Sequence, residues 1–397
     1  MEDVIVIGGG PVGFINALGL ARAGVRVTII EAEPQIINSP RAAVYFWSVL
    51  NGLERLGILD EAEAAGVRKQ DYTYLVRATG ERIQYSMEIL AGHTPRPYNL
   101  HLSQHRLTDI AMRRLKTCPN ATVRFGARLR TLQQEADGVT ISVETGRETE
   151  EMRARWVIGA DGAGSTVRRL LGLSFDGLTW PERFIATNVY YDFERYGYHR
   201  TTFLIDGRCG AVIAVLDNDG LWRCTYMEDA SLPEETFLER LPRAYAAILP
   251  GRGAYQLELA SPYRMHQRSA PSYRVGRVVL AGDAAHVTNP TGGLGLTSGL
   301  FDSYALYPAL SAVVLEGADA AVLDRYSAAR RDTFLNRVSP QATANKRLVF
   351  HANGGGRELD EAVADLRRLV TDTEPLRQRL MFTRSLETAP LLAAPGR

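Results

Sequence analysis

The sequence predicts a mixed α/β (α+β) fold with a dinucleotide-binding domain, an inserted β-sheet domain and C-terminal helices. Three observations lead to this prediction. An apolar strand runs into a glycine-rich turn at the start of the chain, strand-like segments dominate residues 180–268, and helical patterning is almost continuous after Gly295. The opening order of strand, glycine turn, helix, strand and acidic residue is the order that a dinucleotide site requires.

The first 31 residues carry this dinucleotide motif. The apolar run Val4–Ile7 leads into Gly8-Gly9-Gly10-Pro11-Val12-Gly13, then a helical pattern and a second apolar run that ends at Glu31. Gly8 permits the tight turn, Gly10 lets the backbone approach a pyrophosphate, and Gly13 lets the helix pack on the strand. Free N–H groups at the helix N-terminus suit phosphate. The Glu31 carboxylate suits a ribose 2′-hydroxyl and would repel a 2′-phosphate, so the expected nucleotide is FAD or NAD rather than NADP.

Composition describes an ordinary globular protein. Of its 397 residues 45% are apolar and 23% charged, and the net charge of +1 argues against a nucleic-acid partner. The three cysteines lack metal-ligand spacing, so we predict no metal site, and their odd number fits a reducing cytoplasm. No run of about 18 apolar residues is present, and the chain begins directly with a strand, so we expect neither a membrane span nor a signal peptide.

The order of the patterns predicts four segments. Residues 1–179 form the first part of the nucleotide-binding domain, with inserted hairpins, and residues 180–270 form a mainly antiparallel β domain. Residues 271–350 return to the nucleotide-binding domain and continue as helices, and residues 351–397 form a C-terminal helical segment. Within the first segment we expect a helix that starts at residues 39–43.

Two further glycine turns follow apolar runs later in the chain. One reads Gly159-Ala160-Asp161-Gly162, and the other runs from Ala281-Gly282-Asp283 through His286 to Pro290-Thr291-Gly292-Gly293-Leu294-Gly295. Together with the first turn they make three motifs in order. This set resembles the single-component FAD-dependent aromatic hydroxylases, the para-hydroxybenzoate hydroxylase family of group A flavoprotein monooxygenases. The resemblance covers the organisation of residues 1–310 and implies a Rossmann-like FAD-binding domain with a β-sheet substrate domain.

The later turns supply further candidates for contacts with FAD. A carboxylate at Asp283 can accept hydrogen bonds from ribitol hydroxyls, and the glycines after Pro290 let the backbone lie flat against a planar ring. The resemblance implies that Arg41, Asp161 and Gly162 lie near the pyrophosphate and the incoming reductant, and that Gln104 contacts the ribityl chain. The predicted cofactor-binding residues are Gly8, Gly10, Pro11, Val12, Gly13, Glu31, Arg41, Gln104, Asp161, Gly162, Gly282, Asp283, Pro290, Gly292, Gly293, Leu294, Gly295, Leu296 and Thr297.

The sequence departs from the family pattern at two places. Asn289 stands where many members have proline, and Thr297 stands where they have asparagine. His286 is expected to be a structural residue rather than a base, since the family motif carries it in that role.

The resemblance also implies the reaction. NADH or NADPH reduces FAD, O2 adds to give a flavin C4a-hydroperoxide, and the distal oxygen passes to an electron-rich ring of a small aromatic or heteroaromatic substrate. No catalytic side chain is assigned, because the flavin performs the chemistry. The inserted sheet is expected to cover the substrate. Its candidate pocket residues, which an ordinary sheet core explains at least as well, are Tyr190, Tyr191, Phe203, Trp222 and Tyr226.

Several alternatives stay open from the sequence. The same motifs occur in flavin-dependent epoxidases, Baeyer–Villiger-type enzymes and other tailoring oxidoreductases, and a non-catalytic flavin-binding protein belongs to a different class. An NAD-dependent dehydrogenase is disfavoured by the Gly282-Asp283 motif. Phenols, hydroxylated nitrogen heteroaromatics and polycyclic natural products all remain as substrates. We expect a cytoplasmic monomer or homodimer.

Overall fold

The computed structural model describes residues 1–40, 42–251, 253–350 and 357–392. The strands, in chain order, are β1 (Glu2–Ile7), β2 (Val27–Ile30), β3 (Val44–Tyr45), β4 (Val67–Lys69), β5 (Asp71–Val76), β6 (Glu81–Ser86), β7 (Asn99–His101), β8 (Ala121–Arg124), β9 (Ala127–Gln134), β10 (Val139–Thr145), β11 (Glu148–Gly159), β12 (Asp176–Tyr190), β13 (Thr201–Ile205), β14 (Ala211–Val215), β15 (Leu221–Asp229), β16 (Gln256–Ser269), β17 (Arg274–Val275), β18 (Val278–Leu280) and β19 (His286–Val287).

The helices are α1 (Pro11–Arg22), α2 (Trp47–Arg55), α3 (Leu59–Ala65), α4 (Gln104–Leu115), α5 (Thr166–Leu170), α6 (Phe237–Ile248), α7 (Leu294–Leu315), α8 (Ala321–Thr333), α9 (Ser339–Phe350), α10 (Arg357–Thr371) and α11 (Thr373–Met381). A π-helical turn, Phe334–Val338, joins α8 to α9. Within the described ranges, no helix is both long enough and apolar enough to cross a membrane.

The first sheet is the nucleotide-binding sheet. Its order is β17-β18-β11-β1-β2-β8, and the neighbours from β18 to β8 run parallel. The apolar runs of β1 and β2 are buried, as expected for parallel strands covered on both faces. Strands β9 and β10 extend β11 as an antiparallel meander. The fold class predicted from the sequence is therefore observed.

The second sheet has the order β19-β16-β12-β15-β14-β13-β5-β6 and is antiparallel except where β13 pairs with β5. The long strands β12 and β16 pair with each other inside this sheet. The hairpin of β5 and β6 joins this second sheet, although it lies inside the first of the four segments expected from the sequence. The second sheet is thus built from residues 71–86 as well as from the insert.

The helix expected to start at residues 39–43 begins later, so this prediction was wrong. Val44 and Tyr45 form β3 and pair with His101 and Leu100 of β7. A β-branched and an aromatic residue suit an extended strand, and Tyr45 is fully buried there. The helix α2 starts only at Trp47, whose N–H donates to Asn99 Oδ1 at 2.9 Å.

Candidate active site

Four parallel strands bring the sequence motifs to one edge of the first sheet. The motif residues Gly8, Glu31, Asp161 and Gly282 follow the carboxyl ends of β1, β2, β11 and β18. Backbone hydrogen bonds join these ends directly: Gly8 N donates to Ile30 O at 2.9 Å, Ala160 N to Ile7 O at 2.8 Å and Ala281 N to Gly159 O at 3.0 Å. Ligands of open α/β sheets bind at this edge.

The first glycine turn leaves room where a pyrophosphate would lie. Gly8 has φ of +110°, and a Cβ there would lie 2.3 Å from Ala160 O. A Cβ on Gly13 would lie 1.9 Å from Gly8 O, whereas a Cβ on Gly10 would meet nothing within 4 Å. The helix α1 begins at Pro11 without a side-chain cap. The open space at Gly10 and the uncapped N–H groups fit the diphosphate of FAD.

Glu31 lies beside this turn. Its Oε2 accepts from Gly9 N and its Oε1 accepts from Glu33 N at 2.7 Å. The two backbone donors orient the carboxylate at the end of β2. Its predicted hydrogen bond to a ribose hydroxyl stays a prediction.

Asp161 is occupied by the protein itself. Its Oδ2 accepts from Thr166 N at 2.7 Å and Val167 N at 3.1 Å, and its Oδ1 accepts from the Ser165 hydroxyl. The carboxylate therefore organises the start of α5 beside the left-handed Gly162. Gln104 is the first residue of α4. Arg41 lies outside the described residues.

The third turn packs against α1. Gly282 has φ of +59°, and a Cβ there would lie 2.9 Å from Val12 Cγ2. Asp283 is exposed at this edge, inside a short 3₁₀ turn whose N-cap is Ala281. The chain then passes Pro290 and the left-handed Gly292 and Gly293, and α7 begins without a side-chain cap. The predicted contacts of Leu294, Gly295, Leu296 and Thr297 with the flavin therefore lie in the first turn of α7.

A buried ionic network supports the third turn and was not foreseen from the sequence. His286 Nε2 lies 2.7 Å from Asp302 Oδ2, which also accepts from Gly282 N at 2.9 Å. Arg330 Nε donates to Asp302 Oδ1 at 2.6 Å, and all three side chains are fully buried. Burial alone would raise the pKa of Asp302, but the charges and hydrogen bonds of His286 and Arg330 outweigh it and lower the pKa to about 2. His286 thus has a structural partner.

A second network holds the segment that precedes α7. Asn289 Nδ2 donates to Gln267 Oε1 at 3.1 Å, and Asn289 Oδ1 accepts from Thr291 N at 3.1 Å. Gln267 Nε2 in turn donates to Ser339 O, Ser339 Oγ and Thr343 Oγ1. The asparagine that replaces the family's proline therefore ties the turn to β16 and α9.

An aromatic cavity of about 110 Å³ adjoins the third turn. It lies between the second sheet, the third turn and the C-terminal helices. Tyr72 and Tyr85 stack with ring centroids 5.1 Å apart, and Tyr74 stacks on Phe203 at the same distance. The described residues that line it are Phe46, Trp47, Tyr72, Tyr74, Tyr85, Met87, Asn99, Phe203, Thr291, Gly292, Leu294, Gln341, Asn345, Leu348, Val349, Leu369, Leu376, Arg379, Leu380, Phe382 and Thr383.

Of the five pocket candidates from the sequence, the structure places Phe203 in this cavity. Tyr191, Trp222 and Tyr226 pack in a separate core with Tyr245 and other residues of α6, and Tyr190 is exposed. The hairpin tyrosines were missed. Their alternation along β5 and β6 was visible in the sequence, but the pairing of β5 with β13 that brings them to the cavity was not.

Comparison with known proteins identifies the class. A family model described as "FAD binding domain" matches residues 1–339. The chain therefore belongs to this family, and it is a single-component FAD-dependent aromatic hydroxylase of the para-hydroxybenzoate hydroxylase type. Use of NAD(P)H and O2 is typical of that family. The sequence-based predictions of family, fold, cofactor and enzyme class are confirmed.

Two relatives and one solved structure match nearly the whole chain. It is 43% identical over 390 residues to 6-hydroxy-3-succinoylpyridine 3-monooxygenase of Pseudomonas putida, with 98% of each chain covered. It is 41% identical over 401 residues to para-nitrophenol 4-monooxygenase of a Pseudomonas species, covering 98% of this chain and 99% of that one. The crystal structure of p-nitrophenol 4-monooxygenase of Pseudomonas putida superposes with a TM-score of 0.94 at 40% identity, covering 97% and 98% of the two chains.

Proposed function

We propose that the substrate is a single aromatic or heteroaromatic ring with a hydroxyl group and a second substituent para to it, and that oxygen enters at the substituted carbon. The observation that carries this proposal is the size and lining of the aromatic cavity. A cavity of about 150 Å³ lined by apolar side chains binds benzene in another protein. The volume of about 110 Å³ here has the same order, which suits one ring and not a polycyclic natural product.

The names of the two relatives support the position of attack. One is named for oxygenation at carbon 4 of para-nitrophenol, and the other for oxygenation at carbon 3 of a 6-hydroxypyridine. In both names that carbon already bears the second substituent and lies para to the hydroxyl. A ring carbon without hydrogen cannot regain aromaticity by losing a proton, so the substituent has to leave.

The protein's own residues bind and orient such a ring. FAD, when bound, supplies electron transfer from NAD(P)H and activation of O2. The stacked rings of Tyr72, Tyr85, Tyr74 and Phe203 offer flat faces for a planar substrate and exclude water. Asn99 Nδ2 donates to the Tyr72 hydroxyl, which leaves the Tyr72 proton available to a polar atom in the cavity. Thr291 and Gly292 of the third turn line the same cavity, next to the backbone that is expected to contact the flavin.

The test is a substrate panel with the FAD-loaded protein. Para-nitrophenol, 4-hydroxybenzoate, hydroxypyridines and a polycyclic phenol are compared for stimulated NAD(P)H oxidation, O2 uptake and product mass. With para-nitrophenol we expect nitrite and a quinone as products. A C–O bond forms at the carbon that bears the nitro group, the C–N bond breaks, and the electron pair of the C–N bond leaves with nitrite. Nitrocatechol as the product would overturn the position of attack. Turnover of the polycyclic phenol alone would overturn the single-ring substrate.

The finer expectations on assembly and location stay predictions. They are a monomeric or homodimeric state, a cytoplasmic location and no nucleic-acid partner. Size-exclusion chromatography with light scattering measures the first directly.

A further inference from the structure

One charged side chain lines the aromatic cavity among the residues that the structure describes. Arg379, on α11, is half-buried and lines the cavity together with Asn345 of α9 and Thr291 of the third turn. The other lining side chains are aromatic, aliphatic, thioether, hydroxyl or amide groups. A guanidinium group facing a largely apolar cavity interacts more strongly with an anion than it would in water.

Among the described residues, a neutral amide and not a carboxylate holds this guanidinium. Arg379 Nη2 donates to Asn345 Oδ1 at 2.8 Å, and Gln341 Nε2 donates to the same oxygen at 2.9 Å. Within the described ranges Arg379 makes no ion pair. Because Asn345 is uncharged, it orients the guanidinium without neutralising its charge. The remaining N–H donors of the fork can bind an oxygen pair in the cavity.

The same asparagine lies against the third turn. Asn345 Nδ2 lies 3.4 Å from Thr291 O, and a Cβ on Gly292 would come within 2.2 Å of Asn345 Nδ2. Asn345 therefore links the cation to the backbone that is expected to lie beside the flavin ring. Two contacts would therefore position a substrate held by Arg379 relative to the flavin. They are the contact of Arg379 with Asn345 and the contact of Asn345 with Thr291.

From this arrangement we propose that Arg379, oriented by Asn345, binds an anionic oxygen group on the substrate ring and sets the specificity of the enzyme. The proposal rests on the proposed function, since it names the charge of the single ring that the cavity accepts. The anionic oxygen belongs either to a ring oxygen that has lost its proton or to an acidic substituent. Arg379 acts as a binding residue and performs no proton transfer.

The experiment compares ligand pairs that differ in charge but little in shape. Dissociation constants for 4-hydroxybenzoate and 4-hydroxybenzamide, and for 4-nitrophenolate and 4-nitroaniline, are measured from the flavin absorbance change of the FAD-loaded protein. In Arg379→Met we expect binding of an anionic ligand to weaken by about ten- to a hundredfold, the range for a lost charge-assisted hydrogen bond. Binding of its neutral partner should change less than about threefold. A selective loss of affinity for 4-hydroxybenzoate would identify an acidic substituent as the group that Arg379 binds. A selective loss of affinity for 4-nitrophenolate would identify the ring oxygen as that group.

Two further variants separate binding from folding. Arg379→Lys keeps the charge but loses the planar fork, so its affinity for the anion should lie between those of the wild type and Arg379→Met. Arg377→Met is the matched control, because Arg377 lies on the same helix but pairs with Glu374 and contacts His93 outside the cavity. It should leave both members of each pair unchanged.

Two results would overturn the inference while leaving the proposed function intact. One is an equal weakening of charged and neutral ligands in Arg379→Met, which would make the residue structural. The other is unchanged binding of all four ligands in that variant. Failure of the wild type to bind any of the four rings would overturn the single-ring substrate together with the role of Arg379.

Discussion

Asp302 and Arg330 form a fully buried ion pair of 2.6 Å that joins the third glycine turn to the C-terminal segment. Asp302 also accepts from Gly282 N, and Arg330 Nη1 donates to Leu386 O at 2.6 Å. The pair therefore connects the end of β18 to the chain segment that follows α11. The C-terminal helices, which supply Asn345 and Arg379 to the cavity, are held to the nucleotide-binding domain through this contact.

Removing the charge of Asp302 should destabilise the protein strongly. Asp302→Asn leaves Arg330 buried without its counter-ion, which typically costs about 3–5 kcal/mol of unfolding free energy. The measurement is denaturant unfolding of the FAD-loaded protein at neutral pH. Asp324→Asn is the control, because Asp324 is mostly exposed in its pair with Arg274 and should change stability little. Equal stability of both variants would show that the buried pair contributes little.

The lowered pKa of Asp302 also predicts how the stability of the fold changes with pH. The folded-state pKa of about 2 lies below the ordinary value, so the ionised carboxylate stabilises the fold above about pH 4. That contribution should disappear as the pH falls towards 2. The stability difference between wild type and Asp302→Asn should therefore shrink over this range. A difference that does not change with pH would contradict the assignment.

Gly10 and Gly13 should respond differently to the same substitution. A Cβ on Gly10 meets no protein atom within 4 Å, whereas a Cβ on Gly13 would lie 1.9 Å from Gly8 O. Gly10→Ala should leave the apoprotein within about 1 kcal/mol of the wild type and weaken FAD binding by about tenfold or more, because the methyl group occupies the pyrophosphate space. Gly13→Ala should instead destabilise the apoprotein.

Equilibrium unfolding of the apoproteins and fluorescence titration with FAD measure the two effects separately. Unchanged FAD affinity in Gly10→Ala would place the pyrophosphate elsewhere.

Asn289 should control how efficiently reduction is coupled to oxygenation. Its two hydrogen bonds, to Gln267 and from Thr291 N, hold the turn before α7. In Asn289→Ala we expect FAD to remain bound. More of the NAD(P)H should be oxidised with release of hydrogen peroxide, because the third turn no longer positions the substrate and the flavin as well. The ratio of product to NAD(P)H consumed is the measurement.

The control for this coupling is Asn218→Ala, in an exposed turn away from the cavity. Full coupling in Asn289→Ala would show that the backbone alone holds the turn. Loss of FAD from the variant would assign Asn289 to cofactor retention instead.

His101 should make the fold sensitive to mild acid. The ring is fully buried, its Nδ1 lies 2.9 Å from Val215 O, and burial lowers its pKa to about 4. Between about pH 6.5 and 4 the unfolded chain binds a proton that the folded chain does not. The free energy of unfolding therefore decreases by about 3 kcal/mol from this group as the pH is lowered over this range. The dependence of stability on pH should be less steep for His101→Gln over this range. His93→Gln, which changes an exposed residue, should show the same dependence as the wild type. Equal slopes in all three proteins would remove His101 from the explanation.

Local sequence patterns account for the position of the three glycine turns at one edge of the first sheet. Each glycine turn follows its own strand, and parallel strands place their carboxyl ends together, so the convergence of Gly8, Asp161 and Gly282 follows from local patterns. The start of α2 was missed because Val44 and Tyr45 are held in β3 by β7, a partner distant in sequence. Local helical periodicity carries no information about such a partner.

Local patterns could not predict the aromatic cavity for the same reason. Period-two alternation separates the two faces of a strand but does not say which face meets the flavin. Phe203 therefore lines the cavity while Trp222 and Tyr226 pack against α6. Asn345 and Arg379 meet only because α9 and α11 pack beside the third turn, and neither residue belongs to a recognisable motif.

The most direct test of the proposed function is the incorporation of ¹⁸O from ¹⁸O₂ by the FAD-loaded enzyme, with para-nitrophenol as a ring of the proposed class and NAD(P)H as reductant. The proposed function predicts a quinone that carries one ¹⁸O atom, formed together with one nitrite as NAD(P)H is consumed. Stimulated NAD(P)H oxidation that yields only hydrogen peroxide with this ring and with every other single-ring phenol or hydroxypyridine, or a protein that binds no FAD, would contradict it.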